Sequence, residues 1–224
     1  MNAPVDVTNI RIETPRLILR AWKESDLQDF YEYASVDGVG EMAGWNHHQS
    51  VEETQRILGL FISGKKTFAL ELKENDKVIG SLGLEPRDED AGLPEELQGR
   101  EIGYVLSRDY WGRGLMPEAV KAVIDYCFKE LSFDYLTCGH FDRNDRSRRV
   151  VEKSGFRFLK NVVISTARGI DEPGKLYVVC NPRKAAAPFD AAGVRTEKDL
   201  PDLQEDAGRR KSVATLSTRR NSHV

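Results

Sequence analysis

The chain has 224 residues, 40% hydrophobic and 31% charged, with mean hydropathy -0.50 and a formal net charge of -3. That length suits one domain with an appendage, and no apolar run approaches the roughly 20 residues a bilayer crossing requires. Residues 183–224 hold nine Lys/Arg against six Asp/Glu, leaving 24 against 30 over residues 1–182; the acidic body disfavours nucleic acid as the main ligand and suits a cationic one such as a protonated amine.

Residues 1–6 lack the basic start and apolar stretch of an export signal, so a cytoplasmic location is expected, with no membrane partner. Cys127, Cys138 and Cys180 are odd in number and far apart in apolar surroundings, which predicts buried thiols and neither a disulfide framework nor a metal cluster. Residues 16–22 alternate Leu17, Leu19 and Ala21 with Arg16, Ile18 and Arg20, a strand pattern. Ser25 can cap a helix in which Leu27, Phe30, Tyr31 and Ala34 recur at helical spacing. A loop over 36–49 carries Glu41, Trp45, His47 and His48, and Ser50 with Glu53 forms a capping box for a helix to about residue 62. Strands are predicted at 68–72 and 78–84, joined by a turn at Asn75-Asp76.

After an acidic loop at 86–99, residues 101–107 read as a strand with Gly103 as a bulge. Ala119, Val120, Val123, Ile124, Cys127 and Phe128 give an amphipathic helix over 117–131. Residues 135–141 form a strand, Asn144 opens a short helix ended by Gly155, and 156–163 and 175–180 supply two further strands. Residues 183–224 are poor in apolar side chains and are expected to be disordered, apart from a short helix near 197–206. The order mixes hairpins with one βαβ crossover, which predicts an α/β (α+β) domain over 1–182: a mixed, mostly antiparallel twisted sheet of about seven strands flanked by about four helices.

Two segments carry chemistry. In Leu106-Ser107-Arg108-Asp109-Tyr110-Trp111-Gly112-Arg113-Gly114-Leu115-Met116-Pro117-Glu118-Ala119, a strand enters two glycines and then a long helix. Without Cβ atoms there, the backbone can aim several N–H groups at one anion beside the positive helix end. A plain tight turn would use the same glycines, and spacing alone leaves both open. Downstream, Asn144-Asp145-Arg146-Ser147 heads the second helix at the carboxyl end of the 135–141 strand.

Taken together with Glu13-Thr14-Pro15-Arg16-Leu17-Ile18-Leu19-Arg20, these runs resemble the GNAT superfamily of acetyl-CoA-dependent N-acetyltransferases, and within it the RimJ/RimL-like ribosomal-protein branch, over about residues 9–181. The resemblance implies acetyl-CoA as cosubstrate and no metal. Its pantetheine arm would lie between splayed strands at 101–107 and 135–141, touching Val105, Leu106 and Asn144. Its diphosphate would meet Trp111, Gly112, Arg113, Gly114, Leu115 and Met116. Asp109 stands where the family usually has Gln or Arg, with Arg108 and Arg113 as compensating charge.

Many relatives place a tyrosine, as proton donor to the departing thiolate, where this chain has Val151. Ser147, which matches the RimJ/RimL pattern, takes that role by resemblance and also contacts the cofactor. Glu101 is the best general base, with a surface pairing to Arg100 or Arg87 as its alternative. His140 reads as a packed core residue, and His47 and His48 lack further ligands at metal spacing. The acceptor is a primary amine, either a protein N-terminus or a small amine, chosen by loops 36–49 and 163–174; a homodimer stays open. Two other readings stand beside this one: a catalytically weak GNAT-fold module that binds CoA or regulates, and a doubly wound dinucleotide-binding protein. The latter lacks the third glycine and a classical βαβ opening.

Overall fold

Alternating and helical apolar patterns organise a chain that runs β1 (Arg11–Glu13), β2 (Leu17–Ala21), α1 (Leu27–Ala34), α2 (Val51–Gly64), β3 (Thr67–Leu72), β4 (Lys77–Glu85), β5 (Gly99–Leu106), α3 (Leu115–Lys129), β6 (Tyr135–Phe141), α4 (Asp145–Lys153), β7 (Arg157–Ser165), β8 (Asp171–Cys180) and β9 (Arg209–Lys211). The computed structural model describes residues 2–87 and 91–184, and the backbone of 209–211. The nine strands among the described residues form one sheet in the order β1-β2-β3-β4-β5-β6-β8-β7-β9. Pairing is antiparallel except for β5 with β6 and β7 with β9. Among the described residues, no helix is long and apolar enough to cross a membrane.

The mixed sheet flanked by four α-helices matches the expected class, and two additional short strands explain the higher strand count. Each has three residues, too few for alternation to register; β1 zips onto β2 through Arg11↔Arg20 and Glu13↔Ile18. The 16–22 pattern suggested one covered face, yet Leu17, Ile18, Leu19 and Arg20 are all buried because helices cover both faces. Arg20 tolerates this by donating to both Asp26 oxygens at 2.8 and 2.9 Å while pairing with Glu71. Burial alone would lower its guanidinium; these hydrogen bonds more than reverse that.

On one face α3 buries Leu115, Ala119, Val123 and Cys127 against β2–β5, and α4 adds Val151. Each fully buried aliphatic side chain there contributes about 1.5–3 kcal/mol. On the other face α1 and α2 pack Phe30 and Phe61 onto Trp22, with ring centroids 4.8 and 5.6 Å away. Ser50 caps α2 by accepting from the Glu53 N–H at 3.2 Å, while Glu53 reaches the Gln49 N–H at 2.8 Å. The box therefore closes one residue upstream of the expected place.

Two expectations need correction. Gly103 is no bulge: it sits in unbroken register opposite Gly83. The 163–174 loop shrinks to 166–170, because Pro173 pairs with Val163 and gives its carbonyl to the Asp142 N–H at 3.0 Å, so the Pro-Gly step interrupts nothing. In the tail, Arg183 and Lys184 are anchored, Lys184 pairing with Asp134 at 2.7 Å, and β9 lies beside β7. The helix expected near 197–206 lies outside the described residues.

The crossover β5-α3-β6 sets the site. Parallel pairing holds only at Gly99↔Tyr135, Arg100↔Leu136 and Glu101↔Thr137, although β5 continues to Leu106 and β6 to Phe141. Beyond Glu101 and Thr137 the two strands part.

Candidate active site

Gly112 and Gly114 adopt φ of 77° and 76°, values that favour glycine, and turn the chain from β5 into α3. A Cβ on Gly112 would meet nothing within 4 Å, and one on Gly114 would meet only Arg16 Nη2 at 3.6 Å. Backbone conformation, not crowding, requires these glycines, and open space lies in front of them. The Trp111 N–H is spent on the Arg108 carbonyl at 3.1 Å, so it leaves the expected donor set. No described residue accepts from the amides of Gly112, Arg113, Gly114, Leu115 or Met116. They gather at the positive end of α3, the arrangement that attracts an anion.

Glu118, one turn into α3, would oppose such an anion if left bare. Instead it accepts from Thr14 Oγ1 at 2.6 Å, from the Arg16 N–H at 2.9 Å and from Arg16 Nε at 2.7 Å. Burial pushes its carboxyl up, but these donors outweigh that and hold it below its usual range. Arg16 Nη1 also donates to the Arg113 carbonyl at 2.9 Å, fastening the glycine loop from outside. Arg108 donates to the neutral Asp37 carbonyl and lies 5.8 Å from the Trp111 ring, so its charge stays beside the loop. The exposed Arg113 and Arg146 also flank the loop, Arg113 over Tyr110 at 5.0 Å and Arg146 over Trp111 at 4.7 Å. Sequence reading missed Arg146, which reaches Trp111 only because α4 starts beside the loop.

Val105 and Leu106 lie past the last β5–β6 pair, at the rim of the gap. The Leu106 carbonyl accepts from Trp111 Nε1 at 2.7 Å. Across the gap, Asn144 Oδ1 caps α4 by accepting from the Ser147 N–H at 3.1 Å, and its Nδ2 donates to the Met42 carbonyl at 3.1 Å. Ser147 Oγ lies 2.8 Å from the Tyr104 hydroxyl, which also donates to the Ser147 carbonyl at 3.2 Å. Tyr104 escaped the sequence reading because nothing local marks a strand tyrosine. Val151 is buried in the core beneath α4.

Glu101 is 3% exposed, sits opposite Glu85 on β4 and Thr137 on β6, and marks the closed end of the gap. It is therefore no surface carboxylate. Ile102, Tyr104 and Leu106 point toward α3, whereas Val105 packs on the α1/α2 side, so alternation puts Glu101 on the face away from Ser147. Burial raises the neighbouring Glu85 carboxyl despite its Lys66 partner. That second carboxyl was also missed, since its burial depends on strands far apart in sequence.

His140 is a packed core residue: its Nδ1 donates to the Phe141 carbonyl at 2.9 Å, its ring lies 5.3 Å from Tyr177, and burial lowers its pKa. His48 packs against Phe30 and Trp45 and bonds Thr54 Oγ1 at 2.8 Å. His47 does gain carboxylate neighbours, Glu41 at 3.0 Å and Asp37 at 3.7 Å. Glu41, however, already accepts from the Gly38 N–H at 2.7 Å and from the His47 N–H at 3.0 Å, as an anchor of its loop would. Burial raises the Glu41 carboxyl, and the His47 and Gly38 donors overcome this, bringing it down to about 2.

Loop 36–49 is clasped from two sides. Arg143 Nη2 donates to the Glu41 carbonyl at 2.9 Å and to Glu172 Oε1 at 2.9 Å, and the Ala167 N–H donates to the Gly44 carbonyl at 2.9 Å. No described cysteine forms a disulfide, and burial raises the thiols of Cys127 and, to about 12, Cys138, so neither is a ready nucleophile.

The acetyltransferase (GNAT) domain family matches residues 16–157. A probable N-acetyltransferase of Bacillus subtilis, YjcK, is 35% identical over 172 residues, covering 71% of this chain and 85% of that protein. A GNAT-family acetyltransferase from Bacillus anthracis superposes with a TM-score of 0.67 at 22% identity, over 77% of this chain and 99% of that one. A putative ribosomal-protein-serine acetyltransferase from Vibrio cholerae gives 0.64 at 15% identity, over 78% and 99%. The two superpositions establish the shared fold, and ribosomal-protein acetyltransferases stand among the neighbours, as the RimJ/RimL resemblance implied.

Proposed function

The chain belongs to the GNAT acetyltransferases, and on that footing we propose that it transfers an acetyl group from acetyl-CoA to a primary amine by direct attack. What carries this reading is one conjunction: unspent amides from Gly112 to Met116 follow directly on the end of β5 that has parted from β6. The amides would hold the diphosphate, with Arg113 and Arg146 adding charge. The rim at Val105, Leu106 and Asn144 would receive the pantetheine arm in the manner of an added strand.

Ser147 would give a proton to the departing thiolate from the α4 side, and Glu101 would take the amine proton through water from the opposite face. High thiol pKa values at Cys127 and Cys138 support attack without an acetyl-enzyme. The Vibrio cholerae neighbour is described as acting on a ribosomal protein, which favours a protein N-terminus over a small amine as acceptor. Val151, sealed in the core, favours a second reading in which the domain binds CoA and turns over poorly.

Labelled acetyl-CoA in a cell extract, followed by mass spectrometry of acetylated products, tests the first reading. Tight CoA binding by calorimetry with no thiol release from any amine or N-terminal peptide would install the second.

A further inference from the structure

We infer that Tyr104 is a positioning residue for acetyl transfer, holding the Ser147 hydroxyl at the gap and passing it a proton as the thiolate leaves. This rests on the reading that Ser147 protonates the thiolate. Tyr104 lies on β5 beyond the last residue paired with β6, and its side chain reaches from that strand to the first turn of α4. Its hydroxyl is 2.8 Å from Ser147 Oγ and 3.2 Å from the Ser147 carbonyl.

Those two contacts permit two proton arrangements without movement of any heavy atom. With the phenol proton on the Ser147 carbonyl, the serine proton points at Tyr104. With the phenol proton on Ser147 Oγ, the serine proton is released to face the gap. A serine hydroxyl is a much weaker acid than a thiol, so it can protonate a thiolate only if its own proton is replaced in the same motion. A phenol is by nature a stronger acid than an aliphatic alcohol, and although burial raises Tyr104 above its ordinary range, a transfer concerted with the proton leaving Ser147 spares it from standing as a free anion. Burial keeps that proton on Tyr104 until it is needed, and Val151, one turn further along α4, offers none. The balance is complete: the C–S bond breaks, sulfur takes the Ser147 proton, Ser147 takes the Tyr104 proton, and Tyr104 recovers one from water. Water has meanwhile accepted the proton lost by the attacking nitrogen.

The test uses the full chain and three variants, Tyr104→Phe, Ser147→Ala and the double, under single-turnover mixing with an accepted amine. Tyr104→Phe keeps the ring and its packing, and should lower the transfer rate roughly tenfold to a hundredfold, with acetyl-CoA affinity changed by less than about twofold. The double variant should be no slower than Ser147→Ala, because both belong to one relay. In the unaltered protein, the rate plotted against deuterium fraction should bow, as two protons in flight require; that measurement stands even if Tyr104→Phe fails to fold. A straight plot, multiplicative losses in the double variant, or a wild-type rate for Tyr104→Phe overturns the inference. A slow Ser147→Ala beside an unaffected Tyr104→Phe sinks only the role of Tyr104, whereas a wild-type rate for Ser147→Ala removes the proposed acid and this inference with it.

Discussion

The glycine loop ahead of α3 and the clasped loop at 36–49 both adjoin elements that frame the gap, the first at the end of β5 and the second at the head of α4, but are built by opposite means. In the first, backbone amides stand unspent and the geometry comes from two glycines at positive φ with a single residue between them. In the second, groups from elsewhere in the chain hold the backbone: Arg143 and Asn144 reach it from more than 100 residues away, at the Glu41 and Met42 carbonyls. A site made of backbone is set by a short run of sequence and suits a fixed ligand such as a diphosphate. A wall made of distant side chains can change with any of its partners, which suits a variable acceptor.

That contrast can be broken experimentally. The largest effect should come from Gly114→Val: a β-branched residue at φ 76° costs about 1–2 kcal/mol of backbone strain, and CoA affinity should fall about tenfold to a hundredfold by calorimetry. Unchanged affinity would mean the amides do not hold the ligand. Arg143→Ala should leave CoA binding alone and raise the acceptor KM by a few-fold, because its ion pair with Glu172 is partly exposed and worth about 0.2–1 kcal/mol. Parallel losses in both affinities would erase the division between the two regions. The smallest effect concerns acid. Glu41 has a depressed carboxyl, so its contribution is whole above the ordinary value of 4.5 and is lost as pH falls through about 2. Fluorescence of Trp45, in the same loop, should therefore hold steady to about pH 4.5 and change below it; a signal that stays flat to pH 2 would remove Glu41 from the anchors of the loop.

How much was legible follows the same division. The β6 bounds at 135–141, the α3 stripe and the Asn144 cap could be read because each is a local pattern. The gap could be read only through family resemblance, since nothing in residues 99–106 or 135–141 says where pairing stops. Tyr104, Glu85 and Arg146 were invisible because each matters through a contact made by the fold. Trp111 was placed correctly as a residue of the loop but wrongly as an amide donor, because the 3-10 turn at Arg108–Tyr110 captures its N–H. Pro173 misled for the complementary reason: proline reads as a breaker, yet here it pairs within β8 without loss.

Glu118 gives the α3 mouth a dependence that no inspection of residues 111–119 would reveal. Its carboxylate is gripped by Thr14 and Arg16, and Arg16 in turn pins the Arg113 carbonyl. The glycine segment is therefore not a portable cassette. Transplanted into another strand-to-helix corner, it would carry its turn but not its brace, and a bare acid would then stand one turn behind a helix mouth whose open amides favour negative charge.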